Sequence, residues 1–316
     1  MAQYELHHGN CFEWLRRQAE NSFQGVCTDP PFGIVEFLPH EVAKLRSGRG
    51  GVWRLPPTIG GCQRDPLPRF TTLTDKDREH VRTYFREFGA ALMPVLVPGA
   101  HILLAGTPML QHLVQGGMAE AGYEVRGAVM RLYRGFRGGD RPKNAESEFP
   151  EVCVTPRGNY EPWMLFRKPI SENTVADNLR RWGAGALRRV AVDKPLPDII
   201  QSGKTPAVEE AISNHPTLKP QHLLRILVRT LLPLGRGRIL DPFAGSGSTL
   251  AACQAVGYDS VGVEVDDEYF SGIENNIAIL SEMYPKFRGE TLEMPASATQ
   301  SRSRSGAMAE GQELLL

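Results

Sequence analysis

The stretch Thr28-Asp29-Pro30-Pro31-Phe32-Gly33 holds residue types that could do chemistry on a flat heterocycle bearing an amine. Gly25-Val26-Cys27 precedes it, a short apolar run that suits a buried strand. Two prolines cannot donate to a ladder, so the strand stops there. Asp29 is left at the strand's carboxyl end, where open α/β sheets bind ligands. Its carboxylate and the Pro30 carbonyl can accept the two hydrogens of an amine, and the Phe32 ring can stack on the base. Asp-Pro-Pro also makes ordinary turns, so this reading needs a partner elsewhere in the chain.

The partner is Arg238 to Leu250, RILDPFAGSGSTL. Ile239-Leu240 end a strand with Asp241 at its tip. Gly245 and Gly247 give a tight turn that lets backbone approach a cofactor closely. Ser248-Thr249-Leu250 open a helix, with a serine or threonine expected at its cap. A second strand, Ser260 to Glu264, ends in an acid. In nucleotide-binding βαβ units an acid about 20 residues past the glycines holds ribose hydroxyls. The pattern is Asp-Pro-Phe-x-Gly-x-Gly rather than G-x-G-x-x-G. That suits a cofactor with no pyrophosphate to rest on a helix N-terminus.

DPPF together with DPFAGSG resembles the S-adenosylmethionine-dependent DNA amino-methyltransferases, which act on N6 of adenine or N4 of cytosine. The catalytic motif precedes the cofactor motif, as in the permuted β class of that family. HPTLKP, His215 to Pro220, agrees, because such a segment closes over the methionine part of the cofactor there. The resemblance covers most of residues 4–282. It implies an α/β fold: a Rossmann-like methyltransferase sheet with helices on both faces, permuted motif order and inserted target-recognition elements. It implies S-adenosylmethionine as cofactor, with Asp241, Phe243, Gly245, Gly247 and Ser248 around the amino acid and adenosine. Glu264 would hold the ribose, and Thr217 and Lys219 would lie near the methionine end. Phe243 could equally be core packing. Where relatives carry an aspartate against the adenine, this chain has Asn10, which can either keep that role or cap the helix that follows.

The catalytic set implied is Asp29, Pro30, Pro31 and Phe32, acting on a base flipped out of double-stranded DNA. The aspartate favours the N6 amine of adenine; N4 of cytosine is the alternative. RNA or protein-glutamine methylation, or a non-catalytic DNA-binding module, stands further off. Ring-carbon methylation of cytosine needs a cysteine after a proline, and no cysteine here follows one. A cognate restriction enzyme and a homodimer stay open.

The 316 residues are 41% hydrophobic with a formal net charge of zero, which suits a globular protein and argues against a generally basic nucleic-acid binder. Five cysteines are scattered without a C-x-x-C pair, so neither a metal site nor a disulfide framework is expected, and a reducing cytoplasm is. No apolar run reaches membrane-spanning length, and Met1 to Tyr4 does not begin a signal peptide.

The chain divides into a catalytic-motif start (1–38), an insertion loop (39–75), the rest of a catalytic half (76–169), a target-recognition region (170–214), a cofactor half (215–287) and a disordered tail (288–316). Arg46, Arg49, Arg54 and Arg64 in the loop are expected to meet phosphates. So is a flexible basic segment with Arg126, Arg131, Arg134, Arg137, Arg141 and Lys143. Arg180, Arg181, Arg188, Arg189 and Lys194 form a second basic group. Helices are expected over Thr74–Leu92, with a Thr74/Asp77 capping box, and over Pro108–Ala121. Pro98-Gly99 should turn the chain into a strand, His101–Ala105, with His101 in the core or at an edge. Tyr4–His8 and Tyr123–Tyr133 also read as strands. Pro220 and Asp266 should start the last two long helices outside the glycine turn.

Overall fold

The computed structural model describes residues 2–31, 58–59, 62–63, 73–133, 141–142, 144–213 and 218–285. Arg46, Arg49, Arg54, Arg64, Arg134, Arg137, Lys143 and the expected tail lie outside them.

Eight strands form one sheet in the order β1 (Tyr4–His8), β10 (Asp259–Glu264), β9 (Arg238–Asp241), β2 (Phe23–Thr28), β5 (Leu96–Ala105), β7 (Tyr160–Arg167), β6 (Glu124–Leu132) and β8 (Ile199–Gln201). All run parallel except β7, which pairs antiparallel with both β5 and β6. A separate short antiparallel pair joins β3 (Thr58–Ile59) to β4 (Cys62–Gln63). The Rossmann-like sheet and its permuted chain order are those expected.

Period-two alternation assigns the two faces. Val26, Ile102, Leu104, Met164, Phe166 and Leu240 face one core. There they meet α1 (Cys11–Leu15), α2 (Asp75–Val95) and α3 (Gln111–Glu120). Their neighbours Cys27, Leu103, Ala105, Trp163, Leu165 and Ile239 face the other. That side is covered by α6 (Gln221–Leu231) and α7 (Ser248–Val256), with α8 (Asp267–Glu282) packed on α7. Both faces are therefore dry, which explains why the central strands read as continuous apolar runs.

Caps set several boundaries. Thr74 and Asp77 make the capping box, with the Asp77 amide 3.2 Å from Thr74 Oγ1 and the Thr74 amide 2.9 Å from Asp77 Oδ2. Asp266 Oδ1 accepts from the Glu268 and Tyr269 amides at 2.9 and 3.0 Å. Pro220 is the N-cap of α6.

Three boundaries differ from expectation. α2 continues through Pro94 to Val95, and β5 starts at once at Leu96. Pro98-Gly99 therefore lies inside β5, where the register to β2 jumps from Phe23↔Leu96 to Gly25↔His101. This bulge needs glycine: Gly99 has φ +82°, and a Cβ there would lie 2.8 Å from the Gly185 Cα. α3 begins at Gln111 rather than Pro108. The cap of α7 is Gly247 at φ +82°, with no side-chain cap bond, so Ser248 is the first helical residue and not the cap. His101 is a core residue, and burial, aided by Arg167, pushes its imidazole down to a pKa of about 3.

The basic segments separate on folding. Arg131 is no loop cation: it lies on β6, buried, paired with Glu161. Arg126 pairs with Glu124 at 3.6 Å, and Arg141 Nε donates to the Pro150 carbonyl at 2.9 Å. In the 170–214 region, α4 (Val175–Trp182) docks beside the start of β5, where Asn178 Nδ2 donates to the Pro98 carbonyl at 2.9 Å. Arg180 and Arg181 thus sit at the amino end of the sheet, paired with Asp177 and Glu172. The chain then returns through β8 and α5 (Ala207–Glu210) to the carboxyl end.

Candidate active site at the carboxyl rim of the sheet

Strands β1, β10, β9 and β2 are parallel neighbours, so their last residues meet at one rim. Asp29 follows β2, Asp241 ends β9, Glu264 ends β10, and Gly9-Asn10 follows β1. The two motifs, far apart in sequence, are thereby brought together.

A buried hydrogen bond joins them. Thr28 Oγ1 donates to Asp241 Oδ1 at 2.6 Å, and the same oxygen accepts from the Phe243 amide at 3.2 Å. Burial nevertheless dominates and pushes the Asp241 carboxyl up to a pKa of about 6, with bonds from Thr28, Thr249 and Phe243 opposing the rise.

The glycine turn is folded around Glu264. Its Oε2 accepts from the Gly245 amide at 2.6 Å, and its Oε1 from the Val265 and Asp266 amides at 2.9 and 2.8 Å. The Gly9 amide donates to the Glu264 carbonyl at 2.8 Å. Gly247 is locked by its surroundings, since a Cβ there would lie 2.7 Å from Ile273 Cγ1 and 2.8 Å from Ile277 Cγ1. Gly9 is the opposite case: at φ +144° a Cβ would meet nothing within 4 Å, so the backbone beside Glu264 is open to a ligand. A strand-end carboxylate, a glycine turn and open backbone together fit an adenosine-bearing cofactor.

Asn10 Oδ1 accepts from the Phe12 and Glu13 amides at 2.9 and 3.3 Å, so its carbonyl caps α1. Phe243 packs its ring 5.3 Å from that of Phe88, at a tilt of 45°. Ser248 is buried, and its carbonyl accepts from Gln221 Nε2 at 2.8 Å.

On the catalytic side, Pro30 is buried, Pro31 exposed and Asp29 half-buried. Phe32 and Thr217 lie outside the described residues. Lys219 projects onto the catalytic motif, where its Nζ donates to Asp29 Oδ2. Lys219 Nζ also lies 3.6 Å from Glu161 Oε1, and Arg131 donates to Glu161 Oε2 at 3.2 Å. Burial alone would drive the Lys219 proton off, but Asp29 and Glu161 outweigh it and hold its pKa above the usual lysine range. Burial likewise would raise Glu161, and Lys219 and Arg131 reverse that to a net lowering. Thr28, Glu161 and Arg131 were not singled out as site residues from the sequence. The available signal was a lone charge in each of two apolar strands, Val129-Met130-Arg131-Leu132 and Glu161-Pro162-Trp163-Met164.

Among the described residues no helix is long and apolar enough to cross a membrane. Comparison with known proteins agrees with the rim geometry. The type II methyltransferase M2.DpnII of Streptococcus pneumoniae is 34% identical over 76 residues, 24% of this chain and 28% of that protein. The chain matches 28 to 40% of the length of its curated relatives. TTHA0409, a DNA modification methylase solved from Thermus thermophilus in complex with S-adenosyl-L-methionine, superposes with a TM-score of 0.52. It is 18% identical, over 89% of this chain and 98% of that one. The PvuII DNA methyltransferase, cytosine-N4-specific, gives 0.53 at 12% identity, over 90% and 95%. A family profile described as DNA methylase matches residues 23–275, from the strand that carries Asp29 through the helix after Glu264, and by that match the chain belongs to the N6-adenine/N4-cytosine DNA methylase family.

Proposed function

We propose that this protein transfers a methyl group from S-adenosylmethionine to the exocyclic N6 amine of adenine in double-stranded DNA. The observation that carries this reading is the convergence of Asp29 and the Glu264-anchored glycine turn at one rim, linked through Thr28 and Asp241.

Glu264 and Asp241 would hold the adenosine, with the turn at Gly245–Gly247 offering backbone. The bound cofactor supplies an electrophilic methyl group. The chain's own residues do the rest by positioning. An aromatic amine is a poor nucleophile because its lone pair is delocalised into the ring. Asp29 and the Pro30 carbonyl would accept its two hydrogens and turn the nitrogen toward tetrahedral geometry, so that the lone pair points along the transfer axis. Phe32 would stack on the flipped base, an interaction worth about 1–3 kcal/mol.

The test is to incubate purified protein and labelled cofactor with unmethylated DNA, then separate and weigh the nucleosides. N6-methyladenine is expected, absent with Asp29→Ala while cofactor affinity stays within about threefold. N4-methylcytosine would reverse the choice of base. No methylated base, with cofactor binding intact, would overturn the DNA reading.

A further inference from the structure

Four charged side chains alternate in sign from the catalytic motif into the protein: Asp29, Lys219, Glu161 and Arg131. Glu161, Arg131 and Lys219 are buried at 8%, 4% and 8% exposure. Buried ion pairs seldom stabilise a fold better than apolar side chains of the same volume. A network of this size beside the reacting centre therefore calls for another explanation.

The geometry supplies one. Arg131 and Glu161 are direct register partners on β6 and β7, so strand backbone fixes both. Arg131 is further held by Ser202 Oγ at 3.2 Å, the Gly203 carbonyl at 3.0 Å and the Tyr133 ring at 4.6 Å. Glu161 Oε2 is taken by Arg131 and by Trp163 Nε1, at 3.2 and 3.1 Å. Its other oxygen, Oε1, is turned to Lys219 at 3.6 Å, within ionic reach yet beyond hydrogen-bond closure. Lys219 instead closes its bond on Asp29.

A neutral amine is a weaker donor to a carboxylate than an ammonium is. It cannot take over Asp29 unless the ammonium has somewhere else to go. We propose that Glu161, held by Arg131 and Trp163, is that place: a positioning residue that receives the Lys219 ammonium as the substrate amine reaches Asp29. While Lys219 sits on Asp29, Arg131 balances the Glu161 charge. When Lys219 shifts, Asp29 is released without leaving a buried ammonium unpaired. This rests on the reading of Asp29 as the amine's acceptor.

The experiment measures steady-state DNA methylation by the full chain, with cofactor dissociation constants, for wild type, Glu161→Gln, Lys219→Met and the double variant. Glu161→Gln should lower kcat at least tenfold while the cofactor constant stays within twofold. The double variant should be no slower than Lys219→Met alone, since Glu161 acts only through Lys219. Losses that multiply, or an unchanged kcat in Glu161→Gln, overturn the role. Should Glu161→Gln fail to fold with Arg131 uncompensated, Glu161→Asp keeps the charge but withdraws the carboxylate. It should fold and still lose kcat, and a wild-type rate in it overturns the proposal. A wild type that binds cofactor yet methylates no DNA overturns the functional reading itself, a result distinct from an active wild type beside an equally active Glu161→Gln.

Discussion

Thr28 donates its hydroxyl to Asp241 Oδ1 across 2.6 Å of buried interior, so the residue before the catalytic acid is bonded to the tip of the cofactor strand. Neither side chain has water to fall back on. Thr28→Val should remove a donor from a buried carboxylate at nearly constant volume. It should lower unfolding free energy by about 1–3 kcal/mol and weaken cofactor binding in parallel. Thr28→Ser should restore both. Denaturant unfolding and calorimetric titration check this, and a Thr28→Val protein of wild-type stability would remove the bond from the account.

Glu264 satisfies three backbone amides at the rim. Glu264→Ala leaves the Gly245 amide without its partner, so the turn should loosen as well as losing its ligand-facing carboxylate. Cofactor affinity is expected to fall at least tenfold, with a lower melting temperature. A titration that gives the wild-type dissociation constant would show that Glu264 only braces the turn.

Two glycines of nearly equal φ separate backbone strain from crowding. Gly247 and Gly257 stand at +82° and +84°, but a Cβ on Gly247 would strike Ile273 and Ile277, whereas one on Gly257 would meet nothing within 4 Å. Gly257→Ala should cost about 1–2 kcal/mol, the left-handed conformation alone. Gly247→Ala should cost roughly 1–3 kcal/mol more from overpacking. Equal losses in urea unfolding would contradict the packing at α7 and α8.

His101 should make stability pH-dependent on the acid side. Its pKa falls from about 6.5 in the unfolded chain to about 3 in the fold, because of burial and then Arg167. Between those values the unfolded state binds more protons, so stability rises with pH. The contribution is complete above about pH 6.5 and is lost as pH falls toward 3, on the order of 4 kcal/mol in all. His101→Gln should flatten the difference in unfolding free energy between pH 7 and pH 4 relative to wild type. An unchanged difference would show that His101 stays accessible to protons.

What could be read from the sequence was whatever is signalled locally. Proline after Asp29, the Gly245–Gly247 turn, the acid at Glu264 and the caps at Thr74 and Asp266 each act over a few residues, and each stands in the fold where its chemistry put it. What escaped depends on residues distant in sequence. Arg131 looked like one more loop cation because its partner Glu161 is revealed only by the antiparallel register of β6 on β7. Pro98-Gly99 looked like a turn because the neighbours that make a bulge tolerable, Asn178 and Gly185, come from α4 and beyond. Ser248 lost the cap to Gly247 because the crossing of Ile273 and Ile277 over the turn demands a residue without Cβ.

The outer position of β1 has a consequence for synthesis. Tyr4 pairs with Ser260 and His8 with Glu264, so β1's sheet partner lies at the far end of the described chain. At about 5–20 residues per second, a ribosome needs on the order of ten seconds or more between the two. For that interval β1 has no ladder to join, and the open backbone beside Glu264 does not exist. The cofactor pocket is therefore assembled last, after the strand that carries Asp29 has already had time to find β5, and a chain released early would hold its catalytic acid with nothing to act through.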